Sequence, residues 1–177
     1  PILTWGEGPI GPTLEARTGQ RARIVMRNEL DEPTIAHWHG LRPPENADGH
    51  PRFAVGTGES YAYDFEIGER AGLYWYHSHA HARTAPQVYH GLAGFIIVRD
   101  DDEAALTLPG GDRELALCLQ DKRQDPSGRL EVAGPAHPGA TEVAVGDLAG
   151  GGHRAQAVEV ELVDAAVAPD LFLRGGQ

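Results

Sequence analysis

Cysteine is almost missing from this sequence: Cys118 is the only one in 177 residues. No internal disulfide can form, and no all-thiolate metal site can be built. Basic residues are also scarce, 15 Lys and Arg against 26 Asp and Glu, for a formal charge of -11. Such a surface repels nucleic acid and anionic membranes, so neither is expected as a partner. No apolar run approaches the ~18 residues that a membrane-spanning helix requires. The opening stretch "PILTWGEGPIGPTLEA" has no basic start and no apolar core of an export signal. Either such a signal has been removed or there was none. A helical period is absent from the first hundred residues as well.

What remains is the vocabulary of a β protein. Hydrophobic residues make up 41% of the chain, enough for one core and an appendage. Gly (23) and Pro (13) are spread along the chain rather than gathered in one low-complexity block, which places turns between short strands. "TLEARTGQRARIVMRNEL" reads as two strands split at Thr18-Gly19-Gln20, with Ala22, Ile24, Met26 and Asn28 on one face of the second. "TIAHWHGL", "ESYAYDFEI", "GLYWYHSH", "GLAGFIIVRD" and "ELALCLQDKR" (114–123) are read as further strands. In "ESYAYDFEI", Tyr61, Tyr63 and Phe65 share a face. The expected fold is all-β, a Greek-key sandwich or barrel. A soft boundary falls near 130. Residues 1–130 are read as one domain, and 131–177 as a tail that begins a second domain or extends the first. Within the tail, Val158, Val160 and Leu162 alternate with Glu159 and Glu161, as in a strand.

Four of the nine histidines form two alternations, "HWH" at His37 and His39 and "HSH" at His77 and His79. On a strand, residues two apart point to the same face. Two such strands side by side would aim four imidazoles at one small volume. Imidazole suits copper, zinc, iron and nickel, and few carboxylates accompany the pairs, so the His-plus-Glu pattern of a zinc hydrolase is not evident. The competing reading is that the rings satisfy hydrogen bonds in the core. Asp48, in "ADGHP", reads on its own as the Asp of an Asp-Gly turn. Trp38, Trp75, Tyr74 and Tyr76 read as packing, and Cys118 as a small buried hydrophobe in an apolar strand.

From about Gly11 to Arg123 the chain resembles the first cupredoxin domain of the multicopper oxidases, the laccase-like enzymes. The motifs that carry the resemblance are "HWHGLRPPENADGHP" and "GLYWYHSHAHARTAPQVYHGLAGFIIVRDDD", with "LALCLQDKRQDPSGRL" as a closing strand. The resemblance covers nearly two-thirds of the chain. In that family, eight histidines hold a trinuclear copper cluster, half of them from the first domain. The resemblance therefore implies that His37 binds the type 2 copper and that His39, His77 and His79 bind the type 3 pair. It implies that Asp48 lies close to the type 2 copper, orienting water and relaying protons. His81 and His90 fall outside the ligand positions and are read as neighbours of the site or solvent-exposed residues. His50, His137 and His153 are read as surface loop residues.

The family's other half is not found. There is no His-Cys-His motif for a type 1 copper and no His-Pro-x-His-x-His run for the remaining ligands. A proteolytic or truncated fragment, a shifted reading frame in the tail, and a short protein that completes its site by assembly all fit this pattern. Two copies would bring eight imidazoles together. The implied partners are dioxygen, a small reducing substrate (phenol, amine or metal ion), and either the missing oxidase domains or further copies of the chain. The implied compartment is the periplasm or the exterior. Copper added to this chain should bind without the intense blue absorption of a thiolate-ligated ion; an intense blue band on titration would show Cys118 to be a ligand.

Overall fold

The computed structural model describes residues 3–6, 8 and 10–131, and the backbone of 154–156 and 158–163. It is a β structure of two main sheets and one short two-stranded pair. The strands are β1 (Leu3–Trp5), β2 (Leu14–Arg17), β3 (Arg21–Arg27), β4 (Ala36–His39), β5 (Ser60–Glu66), β6 (Gly72–Ser78), β7 (Ala93–Arg99), β8 (Arg154–Gln156) and β9 (Val158–Val163). One sheet has the order β2-β7-β6-β4 and the other β5-β3-β9, while β1 pairs with β8. In the four-stranded sheet β2 runs parallel to β7, and β7, β6 and β4 are successively antiparallel.

The alternations read from the sequence set which faces meet. On β3, Ala22, Ile24 and Met26 are buried and the alternate residues Arg21, Arg23, Val25 and Arg27 are exposed; on β5, Tyr63 and Phe65 are buried. They pack against Leu14, Ala16, Ile96, Val98, Tyr76 and Trp38 of the other sheet. Trp38 is the central contact, with ring centroids 4.9 Å from Tyr63, 5.7 Å from Phe65 and 5.8 Å from Tyr76. Its indole N–H donates to the Ala47 carbonyl at 2.8 Å, so this large side chain is buried without an orphaned donor. The turn at 18–20 forms as read, with Gln20 N–H donating to the Arg17 carbonyl and Gly19 at φ 83°. The strand read at Val158–Leu162 is present as β9, antiparallel to β3.

Two expectations fail. Residues 114–123 form no strand. Leu115, Leu117 and Leu119 are 78%, 71% and 80% exposed, and Cys118 is exposed rather than buried. The alternation there is real, but an alternating segment becomes a ladder only where a partner supplies hydrogen bonds and covers its apolar face. Among the described residues strand-like pairing begins only at its end, where the Glu131 N–H donates to the Arg123 carbonyl at 2.9 Å beside an isolated bridge between Gln124 and Leu130. Two short helices also interrupt the first 105 residues, α1 (Thr84–His90) and α2 (Asp101–Ala104). Both are too short for a 3.6-residue period to show in the sequence. No helix among the described residues is long and apolar enough to cross a membrane.

A buried polar contact at the start of β4 links the two sheets. The Ala36 N–H donates to the buried Tyr63 hydroxyl at 2.9 Å. Burial pushes the Tyr63 hydroxyl well above the ordinary phenol range, so it stays protonated and available. Tyr63→Phe leaves that backbone donor unmet. We expect a loss of about 1–3 kcal/mol in urea denaturation with an unchanged m-value.

Candidate metal centre

In β4 and β6 the register places His37 opposite His77, Trp38 opposite Tyr76 and His39 opposite Trp75. Trp38 and Tyr76 are both buried between the sheets. Their neighbours must then point to the outer face, because side chains alternate. His77 is flanked on its other side by Ala93 of β7, a small residue that leaves room for the ring. His79 lies one residue past the end of β6 and is held there by its N–H, which donates to the Ile35 carbonyl at 2.8 Å.

The four rings meet. Centroid distances from His37 are 5.8 Å to His39, 5.4 Å to His77 and 5.1 Å to His79. His39 and His77 are 5.4 Å apart, and His77 and His79 6.2 Å. One ring nitrogen from each of His37, His39 and His77 lies within 4.8 Å of the others. Trp75 braces the group from the side, stacked on His39 at 4.7 Å and tilted on His77 at 4.2 Å.

Each ring is also oriented. His37 Nδ1 lies 2.7 Å from the Asp48 carbonyl, His77 Nδ1 2.8 Å from the Ser78 carbonyl, and His79 Nδ1 3.2 Å from the Gly49 carbonyl. A carbonyl only accepts, so each of these three rings carries a proton on Nδ1 and turns Nε2 away from its carbonyl partner. In His39 it is Nδ1 that turns inward, 3.2 Å from His77 Nε2. In the metal-free protein, His39 Nδ1–H must be the donor there, and a metal ion would replace that proton. Imidazole nitrogens aimed inward by backbone acceptors behind the rings are what a borderline-soft transition metal requires, so the residues present fit copper. Burial, together with the three neighbouring imidazoles, pushes the His77 pKa down to about 4 against the pull of the Ser78 carbonyl. The His77 ring is therefore neutral at physiological pH.

The loop between β4 and β5 supplies two of the three carbonyls. Gly49 adopts φ 75°, and its Cα lies against β4 so closely that a Cβ would fall inside the Ala36 carbonyl and 2.8 Å from His37 Cα. Only glycine permits this approach. Asp48 lies beside His37 as the resemblance implies, with Oδ1 3.2 Å from His37 Nδ1. Oδ1 is buried and makes no hydrogen bond, because the His37 N–H is already spent on the Asp48 carbonyl. The ring-orienting roles of Gly49 and Ser78 were not legible in the sequence, since any residue type carries a carbonyl; the one signal was a glycine beside the predicted Asp.

Among the described residues the other histidines do not join. His81 and His50 are exposed, and His50 accepts from Arg52 N–H in a short 3-10 turn. His90 stands edge-on to Tyr89 at the end of α1. His137 and His153 lie outside the described residues. Cys118 sits in a cleft of about 340 Å³ lined by Trp75, Tyr89, Phe95 and Leu119, with no histidine in its lining.

A model of the multicopper oxidase family matches residues 2–103. The chain belongs to the multicopper oxidase family. It is 37% identical over 113 residues to multicopper oxidase mco of Staphylococcus aureus, covering 64% of this chain and 25% of that protein. It is 34% identical over 132 residues to cell division protein FtsP of Yersinia pestis, covering 73% of this chain and 28% of the relative. Among solved structures, McoA multicopper oxidase from the hyperthermophile Aquifex aeolicus superposes with a TM-score of 0.66 at 46% identity, over 71% of this chain and 28% of that one. The cupredoxin-like sandwich expected from the sequence is thus the fold of this multicopper oxidase chain. The chain spans about a quarter of the length of the curated relatives it matches.

Two outcomes follow from this geometry. Gly49→Ala should fold poorly or bind copper at least about tenfold more weakly than the parent, read by copper titration against a competing chelator. The second concerns pH. Because the folded pKa of His77 is depressed, its stabilising contribution is complete above the unfolded value near 6.5. That contribution is lost as pH falls through about 4, the unfolded chain binding the extra proton in between. Metal-free protein should therefore lose roughly 3 kcal/mol between pH 6.5 and 4 relative to His77→Gln, measured by urea denaturation at stepped pH.

Proposed function

We propose that residues 1–130 are the copper-binding N-terminal domain of a laccase-like multicopper oxidase and supply half the histidine ligands of a trinuclear copper cluster. His37 serves the type 2 copper, and His39, His77 and His79 the type 3 pair. The observation that carries this reading is the convergence of four imidazoles, three held with Nδ1–H on backbone carbonyls. Copper, when bound, supplies the one-electron redox chemistry by which dioxygen is reduced to water with electrons from phenols, amines or metal ions. The chain's own residues do three things. The β4–β6 register sets the distance between the two histidine pairs, Trp75 walls the site on one side, and Asp48 Oδ1 offers an unused acceptor that can take up and pass on a proton beside His37. The remaining ligands come from further oxidase domains or from another copy of the chain. The working compartment is the periplasm or the exterior.

A second reading is a copper-binding cupredoxin-like module without complete oxidase activity. It is favoured by the relatives named as a cell division protein, which match up to 78% of this chain at 34% identity.

Copper titration of the chain, with light scattering to follow association, tests both. Copper should bind, and His77→Ala/His79→Ala should weaken it by well over tenfold. Equal affinity after replacement of all four histidines would refute both readings. Oxygen uptake with a phenol once the missing ligands are restored, by added domains or by association, selects the first. Tight copper binding without uptake selects the second.

A further inference from the structure

Behind the histidines, on the core side of the sheet, lies a polar cluster that no part of the mechanism above uses. Gln87 of α1 is completely buried. Its amide makes every hydrogen bond it can. Nε2 donates to Glu32 Oε1 at 2.9 Å and to the Pro33 carbonyl at 3.0 Å. Oε1 accepts from the Thr34 hydroxyl at 3.0 Å and from the Ser78 hydroxyl. Thr34 and Ser78 are themselves fully buried and 3.3 Å apart. Glu32 closes the cluster at the surface, 3.3 Å from Arg83 at the start of α1.

The position of these partners matters more than their number. Ser78 stands between His77 and His79 in sequence, and its carbonyl accepts the His77 Nδ1 proton. Residues 32–34 lead directly into β4, which carries His37 and His39. Gln87 therefore joins the approaches to both histidine pairs through one side chain. A fully satisfied buried amide is costly to disturb and selects a single arrangement of its partners. We propose that Gln87 is a positioning residue for the copper site, acting through Ser78 to fix the ring orientation and tautomer of His77. The proposal rests on the copper-binding reading above, but its first test does not require copper.

The full chain is compared with Gln87→Met, which keeps the length of the side chain and removes all four hydrogen bonds, and with Ser78→Ala, which removes only the hydroxyl link. Nitrogen-15 NMR of metal-free protein at pH 7 reads the His77 tautomer. Wild type should show the Nδ1–H form alone, and both variants should show a mixture with the Nε2–H form. Titration with copper ion against a chelator should then show at least about tenfold weaker binding in each variant, within the range found for residues that orient metal ligands. The double variant should bind no more weakly than Gln87→Met, since both changes cut one path. A purely structural role predicts a lower melting temperature with the wild-type tautomer and affinity kept, and that result overturns the proposal. Should Gln87→Met fail to fold, Ser78→Ala decides alone by the same two readings. If wild type itself binds no copper, the copper reading fails, while the tautomer comparison still decides whether Gln87 orients His77.

Discussion

Everything about the metal centre depends on Trp38 and Tyr76 being opposite each other and buried. They form one cross-strand pair on the inner face of the four-stranded sheet, and the aromatic rings of Tyr63 and Phe65 close over Trp38 from the other sheet. Pulling these two side chains into the core leaves their neighbours no choice of face. His37 and His39 on one strand, and Trp75 and His77 on the next, are driven outward together. A slip of one residue in the β4–β6 register would bury imidazoles and expose Trp38, at a cost in apolar burial of about 1.5–3 kcal/mol for each large side chain exposed. Core packing thus enforces the geometry of the site.

Convergence alone does not make a ligand set, and the second layer comes from the backbone. Three imidazoles are tethered by carbonyls of Asp48, Ser78 and Gly49, none of which depends on a particular side chain for its acceptor. The tethers come from two places, the loop after β4 and the end of β6. Those segments are in turn held by Gly49 packing on Ala36 and by the cluster around Gln87. The candidate site is built on strands and braced from behind, so its four imidazoles are held in place by the fold itself.

The strands and the four histidines were readable because each carries a period-2 signal, and because two His-x-His pairs flanked by aromatics are rare enough to be recognised. Asp48 was readable through the resemblance, though its free Oδ1 was not. Gly49, Ser78 and Gln87 were not readable, for different reasons: carbonyl acceptors are invisible to residue type, and a single buried Gln on a seven-residue helix has no pattern. The misreading of 114–123 has the opposite cause. Its alternation is as clear as that of β3, but pattern reports what a segment would bury if covered, and among the described residues nothing covers Leu115, Leu117 or Leu119. The same limit explains Cys118, judged by its apolar neighbours although those neighbours are themselves exposed.

β4 is the outermost strand of its sheet, and a bare outer strand invites pairing with another chain. Here several groups on that side are already occupied. The Ala36 N–H is taken by Tyr63, the Trp38 carbonyl by the Leu41 N–H at 3.1 Å, and the backbone at Gly49 lies flat against the Ala36 carbonyl. The loop that orients the imidazoles is therefore also a guard against self-templated aggregation. Edge protection and the placement of the imidazoles thus draw on the same loop, and a change at Gly49 would disturb both.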